Sequence, residues 1–392
     1  MSLAPLDSAA LPAGIRARHI DAVNGLRMHV LEAGHETSGQ QAGARPLLLL
    51  LHGFPELAYS WRKIMVPLAA AGFHVVAPDQ RGYGRTSGWS DAYDQDLRPF
   101  FMLTLARDAL ALVFALGHAK VTAVVGHDFG AAVASWCALT RPDVFERCAI
   151  MSAPFSGPPS LPFGTANGEP QRPEPSRAGD DIDVGLGRLA NPRKHYQRYY
   201  STRPANADMT QCPEGVGQFL RAYFHHKSAD WTANKPERLA DWSAEQIARM
   251  PTYYIMNRDE TMAETVRPHM PTAAQVSACR WMSEAEMAVY AGEYQRTGFQ
   301  GGLNWYRARY EAPLIADLSL YAGAAIPVPA LFVAGKSDWG VYQVPGAFET
   351  MQTKAFPCMG PANAHLVDGA GHWVQQEQPE KVLDVLVPFC WR

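Results

Sequence analysis

An aspartate stands at the tip of a sharp turn that the sequence predicts between a strand and a helix. The segment Val124–Ala132 reads Val-Val-Gly-His-Asp-Phe-Gly-Ala-Ala. This run is typical of an apolar strand, a tight turn and the start of a helix, with Gly126 and Gly130 allowing close packing. Asp128, at the tip, is ionised at neutral pH and needs no base to attack carbon. The product would be an ester of its own side chain, which suits epoxides and alkyl halides better than ordinary esters.

A second acidic residue and a histidine each follow a predicted strand nearer the end of the chain. Asp338 closes the segment Val333–Asp338, and His372 lies in the run Gly-Ala-Gly-His-Trp. The chain order nucleophile, acid, histidine is used by hydrolytic triads built on a parallel sheet. We expect His372 to deprotonate the water that cleaves the ester. We expect Asp338, rather than the nearby Asp368, to orient the imidazole and stabilise its cation.

Two backbone amides are expected to stabilise the oxyanion that forms when water attacks the ester. The loop after the apolar run Leu47–Leu51 would supply the N–H of Phe54, and the residue after the nucleophile would supply the N–H of Phe129. His52 and His127 flank this site, and we interpret both as structural residues.

Apolar runs alternate with helical patterns on both sides of the turn. The Asn-Gly pair at 24–25 predicts a hairpin between two short segments. Continuous apolar runs are typical of strands that are buried on both faces. The clearest is Leu47–Leu51, and further strand signals lie at 74–77, 121–125, 148–151, 329–334 and 364–367. Strands that alternate with helices in this way indicate a doubly wound, mostly parallel α/β sheet.

This alternation breaks between residue 156 and about residue 324. The segment 156–181 contains six prolines and cannot be a regular helix or strand; it is either a long entrance loop or a disordered linker. Beyond it we expect helices without strands, at Pro192–Tyr200, Gly215–His225, Ala244–Met250, Ser283–Thr297 and Leu303–Tyr310. The predicted domains are a first core part at 1–155, a helical cap with the entrance loop at 156–324, and a second core part at 325–392.

The composition is that of an ordinary globular protein. The chain has 392 residues, of which 47% are hydrophobic, and a net charge of −3, which argues against nucleic acid or an anionic membrane as partner. Its six cysteines are scattered, which argues against a disulfide framework or a zinc site. We see no signal peptide, and the longest aliphatic run, Leu47–Leu51, is too short to span a bilayer. We therefore expect a cytoplasmic protein without metal or cofactor; a homodimer is compatible with the sequence.

Three blocks of the sequence resemble those of one enzyme family. They are His-Gly-Phe-Pro-Glu at 52–56 with Ser-Trp-Arg at 60–62, Asp-Gln-Arg-Gly-Tyr-Gly at 79–84, and Gly-His-Asp-Phe-Gly at 126–130. These blocks are similar to those of the α/β-hydrolase-fold epoxide hydrolases, close to the soluble type. The resemblance covers most of the chain and is weakest across 156–189. It implies an α/β-hydrolase fold with an inserted helical cap.

The resemblance also implies two ring-opening tyrosines in the cap. The run Gly-Gly-Leu-Asn-Trp-Tyr-Arg looks like the segment that carries one of them, which corresponds to Tyr306. The run His-Tyr-Gln-Arg-Tyr-Tyr looks like the segment that carries the other; its register favours Tyr199, with Tyr196 and Tyr200 as alternatives. Such phenols are needed because an alkoxide is a poor leaving group and must be polarised or protonated as the ring opens.

The reaction implied is the conversion of an epoxide and water to a vicinal diol through an ester of Asp128. Aromatic residues are frequent in the predicted cap, which indicates an apolar pocket and a lipophilic epoxide, although these residues could equally form the core of the cap. They include Trp231, Trp242, Tyr253, Tyr254 and Trp305.

Other functions on the same scaffold are less consistent with these residues. A haloalkane or haloacid dehalogenase also uses an aspartate nucleophile, but needs donors for the halide or an arginine for a carboxylate, and neither Phe129 nor Ala132 supplies one. An ester hydrolase with aspartate in place of serine is a second alternative. A non-catalytic ligand-binding protein would usually lack a catalytic member, whereas every role is filled here.

Overall fold

One large sheet is the framework of the protein. The structure, a computed structural model, describes residues 3–35, 45–159 and 180–391. The strands in these ranges are β1 (Ile15–Val23), β2 (Leu26–Ala33), β3 (Leu47–Leu51), β4 (His74–Pro78), β5 (Ala123–His127), β6 (Cys148–Met151), β7 (Arg193–His195), β8 (Ile255–Asn257), β9 (Ala330–Gly335) and β10 (Ala364–Val367). The order in the large sheet is β1-β2-β4-β3-β5-β6-β9-β10, and β7 and β8 form a separate two-stranded sheet.

The large sheet is antiparallel at one edge and parallel elsewhere. β1 and β2 form a hairpin, β2 pairs antiparallel with β4, and the later pairs are parallel. The hairpin turn has Asn24 and Gly25 at φ values of 49° and 82°, as a two-residue Asn-Gly turn requires. The predicted hairpin is confirmed.

Helices cover both faces of this sheet and make up most of the segment between β6 and β9. They are α1 (Arg62–Ala70), α2 (Met102–Ala115), α3 (Phe129–Thr140), α4 (Asp180–Gly187), α5 (Tyr196–Tyr200), α6 (Ala205–Thr210), α7 (Gly215–Lys227), α8 (Ala244–Ile247), α9 (Met262–Val266), α10 (Ala273–Ala278), α11 (Glu284–Thr297), α12 (Gln300–Ala308), α13 (Ala312–Asp317), α14 (Ala347–Thr350), α15 (Val374–Glu377) and α16 (Pro379–Trp391). Leu48 and Leu50 of β3 share a core with α1 and α16, whereas Leu49 and its alternate neighbours share a core with α2 and α3. Because side chains alternate along a strand, the continuous leucine run fills both layers, and the predicted doubly wound fold is confirmed.

A largely helical segment lies between β6 and β9 and contacts the Asp128 turn. The sequence predicts no strand there, but β7 and β8 pair antiparallel. The helix predicted over Pro192–Tyr200 is therefore wrong in its first half, since β7 comes before the short α5. Both strands are three residues long and lie far apart in the chain, so neither has a pattern that a single sequence reveals.

The boundaries 1–155, 156–324 and 325–392 of the three predicted parts stay a prediction. Most of the predicted entrance loop, residues 160–179, lies outside the described residues. Within the described ranges, no helix combines the length and the apolar character that a membrane crossing needs.

Candidate active site

The turn between β5 and α3 holds Asp128 in a backbone conformation that few residues adopt. Its φ is +53° and its ψ is −120°, which is strained for a residue with a Cβ atom. The flanking glycines are needed for close contacts. A Cβ at Gly126 would lie 2.1 Å from the carbonyl oxygen of Gly130, and a Cβ at Gly130 would lie 2.2 Å from that of Leu51. Glycine at 126 therefore lets β5 pack against the start of α3, and glycine at 130 lets the start of α3 pack against the end of β3.

Different groups contact the two oxygens of the Asp128 carboxylate. The Phe54 N–H donates a hydrogen bond to Oδ1 at 3.0 Å, and Nε2 of His372 lies 3.2 Å from Oδ2. Phe129, the other predicted amide, is the first residue of α3, where an N–H has no acceptor within the helix. One carboxylate oxygen is thus held by the backbone, while the other faces the imidazole.

Asp128 is a largely buried carboxyl group that remains ionised. Burial alone would raise its pKa, but the contact with His372 and the positive charges of Lys227 and His127 outweigh burial and hold the pKa of Asp128 below its usual value. The side chain is therefore an anion at neutral pH, which is the form that attacks carbon.

His372 and Asp338 complete a triad with the nucleophile. Nδ1 of His372 lies 3.1 and 3.2 Å from the two carboxylate oxygens of Asp338, and one of these also accepts the Gly340 N–H at 2.7 Å. Because a carboxylate only accepts hydrogen bonds, Nδ1 donates to Asp338, and Nε2 is the ring nitrogen that faces the nucleophile. The alternative acid, Asp368, instead pairs with Lys336 at 2.7 Å on the surface.

Glu377 holds the loop that carries the histidine. Its carboxylate accepts the N–H groups of Gly371 and Trp373, the two neighbours of His372, each at 3.0 Å. It also accepts the N–H of Ala229 at 2.8 Å. One side chain therefore fixes the loop on both sides of the imidazole and ties it to the end of α7. No signal in the sequence pointed to Glu377, because hydrogen bonds to loop amides leave no residue pattern.

His127 lies between Glu56 and the main chain of the catalytic histidine. Its Nδ1 bonds to the Glu56 carboxylate, and its Nε2 lies 2.7 Å from the carbonyl oxygen of His372 and 3.1 Å from Oγ of Ser152. Since Glu56 and the carbonyl only accept, both ring nitrogens donate and the ring is cationic. Burial lowers the pKa of His127, but the Glu56 carboxylate outweighs burial and raises it. His127, interpreted from the sequence as structural, thus supports the position of His372.

α12 places the Tyr306 phenol beside the nucleophile. The helix is anchored by the neighbouring Trp305, whose Nε1 donates to the carbonyl oxygen of Arg81 at 2.9 Å. The ring of Tyr306 lies edge-on to those of Phe129 and Phe54, at 5.1 and 5.6 Å between centroids. Burial, and then the charge of the nucleophile, raises the pKa of Tyr306. The phenol therefore remains protonated and close enough to sense the carboxylate.

The structure does not bring Tyr199 to the nucleophile. Its hydroxyl donates to the carboxylate of Asp208 at 2.9 Å, and the Tyr200 hydroxyl donates to that of Tyr223 at 3.2 Å. The register favoured from the resemblance placed the phenol on Tyr199. In the structure α5 begins at Tyr196, directly after β7, and the Tyr199 hydroxyl is taken up by Asp208 of the following helix, α6.

Tyr196 is the tyrosine of α5 whose pKa responds to the nucleophile. Its ring centroid lies 6.0 Å from that of Tyr306, and that of Tyr200 lies 5.1 Å from it. Burial, followed by the charge of Asp128, raises the pKa of Tyr196, whereas the Tyr200 hydroxyl is already bonded to Tyr223. Its hydroxyl donates to Oε1 of Gln343 at 3.1 Å and accepts from Nε2 of Gln197 at 3.0 Å. The Tyr196 hydroxyl is thus bonded to one residue of the helical segment and to one residue of the core. Tyr196 is one of the alternatives that the sequence left open.

The carboxylate, the phenols and the imidazole of this site can take part in three different steps of one reaction. The carboxylate can attack, the two phenols can protonate, and the imidazole can activate water. In the described part of the chain, no group of three or more His, Cys, Asp or Glu side chains could hold a metal. All six cysteines are free thiols.

Comparisons with known proteins show which family the chain belongs to. The family described as alpha/beta hydrolase fold matches residues 46–379. Epoxide hydrolase A of Mycobacterium tuberculosis is 34% identical over 93% of this chain and 94% of its own length. An epoxide hydrolase of Caballeronia sordidicola is 29% identical over 94% and 92% of the two chains.

Solved structures show the same likeness. An epoxide hydrolase from an endophytic Streptomyces superposes with a TM-score of 0.74 at 29% identity, covering 96% of both chains. Potato (Solanum tuberosum) epoxide hydrolase I superposes with a TM-score of 0.68 at 29% identity, covering 96% of this chain and 99% of the potato chain. The predicted fold and family are confirmed: the chain belongs to the epoxide hydrolases of the α/β-hydrolase fold.

Proposed function

We propose that this enzyme converts a lipophilic epoxide to a vicinal diol through a covalent ester of Asp128. The observation that carries the proposal is the placement of the two carboxylate oxygens, with Oδ1 on the Phe54 N–H and Oδ2 facing His372. Tyr196 and Tyr306 are two of the phenols whose pKa values respond to this carboxylate, and they are the two that lie in the cap segments singled out from the sequence. The aromatic rings packed around them support an apolar substrate.

In the first step Oδ2 of Asp128 attacks one epoxide carbon in line with the C–O bond that breaks. The ester bond forms as the electron pair of the breaking bond passes to the epoxide oxygen. Tyr196 or Tyr306 donates its proton to that oxygen and becomes a phenolate, because a free alkoxide would leave poorly. Oδ1 keeps its hydrogen bond from Phe54 and becomes the carbonyl oxygen of the ester.

In the second step water cleaves the ester. Nε2 of His372 takes a proton from water as the oxygen attacks Cγ of Asp128, and Asp338 stabilises the imidazolium. The N–H groups of Phe54 and Phe129 stabilise the charge on Oδ1. When the C–O bond of the ester breaks, the imidazolium protonates the departing diol oxygen, and the second proton of the water returns to the phenolate.

The ring-opening step should be insensitive to alkaline pH. Burial and the nearby carboxylate raise the pKa values of Tyr196 and Tyr306, so both phenols stay protonated above about pH 10, where an ordinary tyrosine ionises. We expect the single-turnover rate of ester formation to be flat from neutral pH to about pH 10, measured by rapid quench and mass spectrometry. A decline with a midpoint well below that value would contradict the assignment of these phenols.

The variant His372→Gln should accumulate the ester. Without a base the first step proceeds and the second does not, so the protein should gain the mass of one epoxide on the peptide that contains Asp128. Mass spectrometry of intact and digested protein under single-turnover conditions checks this. The double variant Asp128→Asn/His372→Gln is the matched control and should gain no mass. Consumption of epoxide by His372→Gln without an adduct would contradict the covalent route.

Location and assembly are further parts of the proposal. The six free thiols support a reducing, cytoplasmic compartment. The homodimer stays a prediction, and light scattering tests it against a chain mass of 43.0 kDa. The dehalogenase alternative finds less support, because Phe129 offers no side-chain donor beside the nucleophile and the relatives found are named epoxide hydrolases.

A further inference from the structure

A buried ammonium group lies beside the proposed pocket and has no role in the steps above. Lys227, the last residue of α7, is 3% exposed. Its Nζ lies 5.0 Å from the ring centroid of Tyr254, 5.3 Å from Tyr223, 5.4 Å from Trp373 and 5.8 Å from Tyr253. Among the residues that the structure covers, no carboxylate lies within the 4.0 Å of an ion pair with this ammonium. Four rings therefore surround a cation whose three N–H donors lack an anionic partner.

A phenol next to this cation also lacks a partner. The hydroxyl of Tyr254 is buried and has no hydrogen-bond partner within the described ranges. Its ring lies 5.2 Å from that of Tyr196, the proposed ring-opening acid. Buried donors are nearly always satisfied in native proteins, so an unpartnered Tyr254 hydroxyl, on a ring 5.0 Å from an ammonium without an anionic partner, indicates a position that another molecule can occupy.

Both residues lie next to proposed catalytic residues: the carbonyl oxygen of Lys227 accepts the N–H of His372 at 2.9 Å, and the Tyr254 ring packs on that of Tyr196. The charge of Lys227 helps to hold the pKa values of Asp128 and Asp338 below their usual range. Tyr254 responds to the same two carboxylates. These acids already have other partners, since Asp128 contacts Phe54 and His372 bridges to Asp338. The donors of Lys227 and Tyr254 are therefore available to a bound substrate.

We propose that Lys227 and Tyr254 form a subsite for a carboxylate of the substrate, so that preferred epoxides carry a carboxylate a few bonds from the ring. The inference rests on the proposed function, because it places this carboxylate in the same pocket. A carboxylate matches the charge of the ammonium and accepts from both donors. The surrounding rings keep water away, which strengthens the pairing. The apolar walls would take the carbon chain between the two groups.

A chain-length series tests the subsite. The substrates are terminal epoxides with an ω-carboxylate and increasing numbers of methylene groups, each paired with its methyl ester. For wild type we expect the ratio of kcat/KM for acid to that for ester to peak at one chain length. At that length, Lys227→Met should lower the ratio by about 10- to 100-fold, as expected for hydrogen bonds to a charged group. Tyr254→Phe should lower it less, and Lys235→Met, at an exposed position, is the matched control.

Each outcome separates this subsite from the proposed reaction. If Lys227→Met slows acid and ester equally, the lysine acts on the nucleophile and the subsite is overturned. A wild-type enzyme that prefers the ester at every chain length overturns it as well. Failure of wild type with all acids and all esters would instead contradict the proposed function. If Lys227→Met does not fold, inhibition of the wild-type enzyme is the second test. Stronger competitive inhibition by short carboxylates than by the matching amides supports the subsite, and equal inhibition by both overturns it.

Discussion

Replacement of Asp128 with asparagine is expected to lower kcat/KM for epoxide hydrolysis by roughly 10⁴- to 10⁶-fold, the range for loss of an enzymatic nucleophile. The amide has nearly the same shape and keeps an oxygen that can accept the Phe54 N–H. It carries no negative charge, however, and cannot form the ester. Initial rates of diol formation measure the effect, and intact mass confirms that the amide has not hydrolysed back to aspartate.

The matched control for this variant is Asp368→Asn. Asp368 also follows a strand of the sheet, but pairs with Lys336 on the surface, so its replacement should leave diol formation nearly unchanged. An Asp128→Asn enzyme with intact fold that keeps a tenth or more of wild-type activity would show that another group attacks the epoxide.

Removal of the two proposed phenols should slow ring opening strongly. We expect Tyr196→Phe and Tyr306→Phe each to lower the rate of ester formation, and the double variant to lower it by about 10²- to 10⁴-fold, the usual contribution of general acid catalysis. Each single variant keeps one phenol near the epoxide oxygen, so its loss should be smaller than that of the pair. Single-turnover rapid quench isolates this step from ester hydrolysis.

Tyr199→Phe is the internal control, because it removes the same atom from the same short helix. Its hydroxyl bonds to Asp208 rather than to the nucleophile, so ester formation should be affected little. A larger loss in Tyr199→Phe than in Tyr196→Phe would favour the register chosen from the sequence over that of the structure.

The sheet could be predicted because its strands have a strong pattern of their own. A run such as Leu47–Leu51 is apolar at every position, which only a strand covered on both faces requires. The two glycines that flank Asp128 mark the turn after β5 for a similar reason, since close backbone contacts exclude a Cβ there. By contrast, β7 and β8 are three residues each, and their pairing depends on contacts across the helical segment.

The site residues also differ in whether the sequence could predict their positions. Asp128, Asp338 and His372 follow strands, so the sheet itself brings them together, as their order in the sequence predicted; their roles stay predictions. The directions of the Tyr196 and Tyr199 side chains depend on the residue at which α5 begins. That residue is determined by the end of β7 and not by a local sequence pattern. The hydrogen bonds of Glu377 and the burial of Lys227 depend on residues far apart in the chain, so no sequence motif predicts them.

An oxygen-isotope experiment tests the covalent ester most directly. In a single turnover with excess enzyme in H₂¹⁸O, the attacking oxygen of Asp128 passes to the product, while an oxygen from water enters the carboxylate. We predict a first-turnover diol without ¹⁸O from water and a peptide containing Asp128 that is heavier by one ¹⁸O. A first-turnover diol that carries ¹⁸O, with the peptide unchanged, would show that water attacks the epoxide directly and would contradict the account.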